Sequence, residues 1–150
     1  MLSLYKKLES SKIFKDWKNK HKDSFLCSYI VIDKTQFDFY NKNDTITSFT
    51  VDNNIEIKEN EKIFKKTELK ELDLNNIKLK EKDAIEIVNK KYSKETFNKK
   101  IIILQNTEEP FWNLTFITAS LKILNVKIDM NKKIIQETFE PLTNLMKTVK

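Results

Sequence analysis

The sequence predicts an α+β fold made of two αβββ units, each a helix packed on an antiparallel meander sheet. Three observations predict it. Residues 11–22 and 80–92 carry apolar side chains at helical spacing. Each stretch is followed by short runs of alternating β-branched and aromatic residues, cut by turns rich in Asn and Asp. This order of helix and then strands recurs at an offset of about 70 residues. The 150-residue length suits one compact body. Within it the pattern assigns a first unit to residues 1–60, a connector to 61–79 and a second unit to 80–150.

The first helix has Ser10 or Ser11 as its N-cap. Ile13, Phe14, Trp17 and His21 share one arc, and Lys12, Lys15, Lys18 and Lys22 lie opposite. Leu4 and Leu8 occupy a different arc, which predicts a break or bend at Ser10–Ser11 between a short lead-in and the main helix. Residues 24–33 are apolar on both faces, as a strand covered on both sides would be. Gln36–Tyr40, Thr45–Val51 and Ile55–Ile57 alternate and extend the meander.

The connector is polar, and its Leu69, Leu72, Leu74, Ile77 and Leu79 are spaced to lie against the body. Lys80–Tyr92 then repeats Ala84, Val88 and Tyr92 at every fourth position, the spacing of a second helix. Strands are predicted at Lys100–Gln105, Phe111–Ala119, Leu121–Met130 and Ile134–Phe139. Pro141 starts a short C-terminal helix with Leu142, Leu145, Met146 and Val149 available to pack. With no glycine in the chain, the Asp52–Asn54 and Asp129–Asn131 turns are expected to use Asn in the left-handed conformation.

Composition narrows function mainly by subtraction. The absence of Gly excludes a P-loop, a dinucleotide fingerprint and a G-x-S-x-G elbow. One His and one Cys exclude a zinc cluster of the usual kind, and neither a metal nor another cofactor is expected. All 28 basic residues are Lys, so no guanidinium is present for bidentate reading of guanine. Residues 1–22 hold +5 of the formal net charge of +6, which concentrates the basic character in the first helix. The N-terminal residues show no signal-peptide pattern, no run has the length of a transmembrane span, and a lone Cys fits a reducing compartment. The chain is therefore read as cytoplasmic.

Few residues stand out as chemistry. His21, with Asp16 or Asp23 and Ser24 nearby, is the only set resembling a base and nucleophile, and a half-exposed histidine at a helix end is the plainer reading. Cys27 lies in an apolar strand and reads as a buried thiol. Glu108, Glu109, Asp52 and Asp129 read as solvated turn acids, so no catalytic residue is assigned. Phe37, Phe39, Tyr40, Phe111 and Trp112 form the aromatic set expected to anchor a protein partner. Beside Lys42, Lys99 or Lys100 the same rings would alternatively stack nucleic-acid bases. Lys12, Lys15, Lys18 and Lys22 form the expected basic docking face.

The second half resembles the PepSY family. Asp83-Ala84-Ile85-Glu86-Ile87-Val88 is similar to its helix, and Trp112-Asn113-Leu114-Thr115-Phe116 and Leu124–Ile134 are similar to its last strands and turn. Met130-Asn131-Lys132 stands where the family's turn carries a Gly. Cystatin-like units share the helix-and-meander pattern, and the chain also resembles archaeal PepSY-related proteins of about this length. The resemblance implies a binding or regulatory module and brings no catalytic residue. The expected function is thus a non-enzymatic, cytoplasmic protein-binding module using the aromatic positions and the sheet edges. The alternative is an RNA- or ribosome-associated protein docking through the lysine-rich helix. The sequence leaves homodimer formation open.

Overall fold

Ser11 decides how the chain begins. Its extended backbone (φ −75°, ψ 147°) ends α1 (Leu2–Ser10), and its Oγ accepts the Phe14 N–H to start α2 (Lys12–Lys20). The break falls where the two apolar arcs diverge. In this computed structural model residues 1–63 and 69–143 are described. After the two helices come β1 (Phe25–Val31), β2 (Thr35–Tyr40), β3 (Thr45–Val51) and β4 (Ile55–Lys62). A 3-10 turn at Leu74–Asn76 leads to α3 (Glu81–Lys91), β5 (Phe97–Asn106), β6 (Pro110–Thr118), β7 (Lys122–Asp129) and β8 (Ile134–Pro141).

The strands correct the predicted fold class. Two αβββ units, each with its own meander sheet, are not what forms. Among the described residues, eight strands form one sheet in the order β4-β3-β2-β1-β5-β6-β7-β8, accompanied by α1, α2 and α3. The physical reason lies in residues 24–33 and 100–105, which are apolar on alternate and intervening positions alike and so suit interior strands of a large sheet rather than edges. Pro141 closes β8, Leu142 and Thr143 after it are helical, and Leu145, Met146 and Val149 of the predicted C-terminal helix lie outside the described residues.

By packing, the chain divides into one unit of Met1–Asn76 with Gln105–Glu109 and another of Ile77–Leu104 with Pro110–Lys150. The predicted connector thus belongs to the first unit as far as Asn76. Asn106 holds its near end, accepting from Lys70 N at 3.2 Å and donating from Nδ2 to Glu71 O at 2.9 Å.

In the first unit Phe14 and Trp17 of α2 lie against Phe39 and Phe49, with ring centroids 5.2–5.4 Å apart, and Tyr5 of α1 meets Phe37 at 5.2 Å. Phe37 is paired with Phe49 across β2 and β3, so these rings share one face of the sheet. Leu72 and Leu74 are buried with them. Trp17 Nε1 is buried without a hydrogen-bond partner.

In the second unit Trp112, Leu114 and Phe116 of β6 pair with Ile128, Val126 and Leu124 of β7 on one buried face. Ala84 and Val88 of α3 are buried as well, and Tyr92 at its C-cap packs on Phe139 of β8. Trp112 Nε1 donates to the Leu79 carbonyl at 2.7 Å, which ties the segment before α3 to β6.

Left-handed backbone occurs at Asp44, Asn60, Leu121 and Lys132. The Asp129 turn therefore uses Lys132 rather than Asn131, and the Asp52 turn needs no positive φ at all. Both turns are instead closed by the aspartate: Asp52 Oδ1 accepts from Asn54 N, and Asp129 Oδ1 accepts from Asn131 N and Lys133 N, each at 2.9 Å.

Candidate protein-docking face

Strand alternation sorts the predicted aromatic set into two groups. Phe37, Phe39 and Trp112 point into the core, with at most 2% of their surface exposed, so they cannot anchor a partner. Their burial follows from the one-residue parity that sets each of them on the helix-covered face. Tyr40 and Phe111 have the opposite parity and are half-buried. Phe111 is thus the ring of the Phe111–Trp112 pair that turns away from the core. Tyr40 belongs to the first unit and Phe111 to the second.

The basic face is reduced from four lysines to three. Lys18 Nζ reaches the carbonyls of His21 (3.5 Å), Lys22 (3.4 Å) and Ser24, capping the C-terminus of α2. Lys12, Lys15 and Lys22 remain exposed. His21 Nδ1 lies 2.8 Å from the Trp17 carbonyl, and Ser24 Oγ donates to Asn41 Oδ1 at 2.7 Å. Base and nucleophile are thus committed to different partners and not to each other. Cys27 is buried and its Sγ donates to Asp38 O. Among the described residues no three His, Cys, Asp or Glu side chains converge as metal ligands would.

What the sequence did not single out is the sheet face that carries no helix. In the second unit β6 and β7 place Asn113 opposite Lys127, Thr115 opposite Asn125 and Ile117 opposite Ile123 there, all half-buried. Asn125 Nδ2 donates to Asn113 Oδ1 (2.7 Å) and Thr115 Oγ1 (2.9 Å), and the Lys127 ammonium stands 5.9 Å from the Phe111 ring centroid. These uncharged polar groups and isoleucines were legible only as the outward half of an alternating strand.

In the first unit the corresponding face carries Ser28, Gln36, Asp38, Ser48 and Thr50. Gln36 Nε2 donates to Asp38 Oδ1 at 2.7 Å and Ser28 Oγ to Oδ2 at 3.4 Å. Burial pushes the Asp38 carboxyl above its ordinary range, against hydrogen bonds from Ser48, Gln36 and Ser28 that hold it down. Beside it a hollow of about 310 Å³ is lined by Ile30, Ile32, Asp33, Lys34, Gln36 and Thr50. Ile32 is 47% exposed at its rim.

The outer strands β4 and β8 are poorer docking edges than expected. β4 reads Ile-Glu-Ile-Lys-Glu-Asn-Glu-Lys and β8 ends in Glu-Pro, a charged and proline-bearing composition that discourages strand addition. On the helix side of the first unit a cleft of about 490 Å³ holds Tyr5, Glu9, Lys18, Glu71 and Asp73. Burial, with Glu9, Glu71 and Asp73 close by, pushes the Tyr5 phenol up to about 12. No described helix is long and apolar enough to cross a membrane.

No protein-family model matches the chain, and no curated protein or solved structure matches it. The functional reading therefore stands on the residues themselves.

Proposed function

We propose that the chain is a non-enzymatic, cytoplasmic protein-binding or regulatory module that takes its partner on the helix-free face of the sheet. One observation carries this reading. In each unit the helices pack on one face alone, while the other presents half-buried isoleucines and rings among neutral hydrogen-bonding groups. That mixture of apolar anchors and few charges is the composition of an interface core, whereas a face meant only for solvent is richer in Lys and Glu. In the first unit the hollow beside Gln36 is sized for an apolar side chain, and Asp38 offers a carboxylate to a partner's cation. The PepSY-like segments point to the same class of function.

The experiment is a charge scan of this face. Ile117→Lys and Ile123→Lys place ammoniums in the second unit's patch without touching the core, and Gln36→Lys does so in the first. Loss of a stoichiometric protein partner from such variants, with an unchanged circular dichroism spectrum, supports the reading. Retention of every partner refutes it.

A second reading rests on Lys12 and Lys15 of α2 and Lys22 just beyond it, which stay exposed and are free to meet RNA phosphates. It requires binding that falls steeply between about 50 and 200 mM salt. Docking on the isoleucines of the sheet face requires the opposite, a weak salt dependence.

A further inference from the structure

The C-terminus of α2 faces a polar hollow of about 330 Å³ in the first unit. Lys20, His21, Lys22 and Lys42 line it, with Asp23 as the only acid among its lining residues. Asp23 is 3.9 Å from Lys42 and both side chains are largely exposed, so the pair neutralises little of the local positive charge. At this end Lys18 Nζ engages the carbonyls of the C-cap His21 and of Lys22, which offsets part of the negative potential that would repel an anion.

The floor is rigid. Ser24 and Asn41 are buried, and Asn41 Nδ2 donates to Thr45 Oγ1 (3.0 Å) and Thr47 Oγ1 (2.9 Å). Thr45 Oγ1 in turn stands 2.5 Å from Asn43 Oδ1 and 3.2 Å from Asn60 Oδ1. The Thr45 hydroxyl has one proton and gives it to the nearer Asn43 Oδ1, which leaves the Asn43 NH₂ group as a donor for a ligand. Asn60 holds a left-handed backbone (φ 55°) where Glu59 and Asn60 bulge between the Ile46–Glu61 and Ser48–Lys58 pairs.

Three lysines and the Asn43 amide donor among the lining residues of a small concave site match the needs of a phosphate group. We propose that this hollow binds a small phosphate, held by Lys20, Lys22 and Lys42 as point charges and oriented by the Asn43 amide. The shared chemistry is the phosphate dianion, whether free or carried on a small phosphomonoester. This site is independent of the sheet face proposed above for a protein partner.

The test titrates the full chain with inorganic phosphate, and separately with O-phosphoserine, at constant ionic strength, following nitrogen-15 NMR shifts. Saturable shifts at the Asn43 side-chain amide are expected. Lys42→Gln should weaken the affinity about tenfold, while Lys82→Gln, outside the hollow, leaves it unchanged. Tighter binding of O-phosphoserine identifies the phosphomonoester as the source, and equal or tighter binding of inorganic phosphate identifies the free anion. Shifts that never saturate, that spread over lysines throughout the chain, or that persist undiminished in a folded Lys42→Gln variant overturn the proposal.

Discussion

Asn125 of β7 donates its amide to Asn113 of β6 at 2.7 Å, diagonally across the two strands on the face that no described helix covers. A second bond from the same nitrogen reaches Thr115 at 2.9 Å. Asn125→Ala removes both from a half-exposed site, so a loss of about 1 kcal/mol is expected, with the fold retained. Urea unfolding checks it, and a loss above about 3 kcal/mol would mean that this face is covered.

The two buried tryptophans should respond differently to the same change. Trp112 Nε1 has the Leu79 carbonyl, whereas Trp17 Nε1 has no partner. Trp112→Phe opens space and strands that carbonyl, for an expected cost of about 2–4 kcal/mol. Trp17→Phe also opens space but removes an unsatisfied donor, and should cost at least 1 kcal/mol less, roughly the penalty of an unmade bond. Paired denaturation curves decide between this and equal losses.

Leu121 holds φ 58° and is 64% exposed, so its side chain returns little for a strained backbone. Its N–H to Thr118 O and its carbonyl from Leu142 N are both backbone bonds, which any residue can make. Leu121→Asn should therefore raise stability by about 1 kcal/mol, visible as a higher Tm.

Two carboxylates predict opposite pH behaviour. Glu137 is held below its ordinary range by hydrogen bonds from Lys91 (2.8 Å) and Tyr92 (2.6 Å). Its ionised form is the stabilising one, so its contribution is present above the ordinary carboxylate range and is lost as pH falls through its lowered value. Asp38 is raised, mainly by burial, so its contribution is present in acid and is lost as pH rises through the raised value. Asp38→Asn should flatten the fall in stability on the neutral side, and Tyr92→Phe should bring the Glu137 titration back toward normal. Carboxyl NMR titration reads both.

Much of the architecture was legible because it follows from local rules. The Ser11 break, the burial of Leu72, Leu74 and Leu79, and the alternation of Trp112–Phe116 all come from helical and strand periodicity. The joining of eight strands was not legible, since strand order depends on pairings far apart in sequence. The aromatic set misled for a related reason. Alternation separates Phe39 from Tyr40 but does not say which parity a helix will cover. Lys18 was hidden differently: its spacing matches the other exposed lysines, and only the path of the chain to Ser24 turns it into a cap.

The most direct test of the central claim is affinity capture from native cytosol with and without nuclease, using the unaltered chain, Ile117→Lys with Ile123→Lys, and a Lys12, Lys15, Lys22→Gln variant. The account predicts one stoichiometric protein that survives nuclease, is lost with the isoleucine changes and is kept with the lysine changes. A captured set that vanishes with nuclease and with the lysine changes, while ignoring the isoleucines, would contradict it.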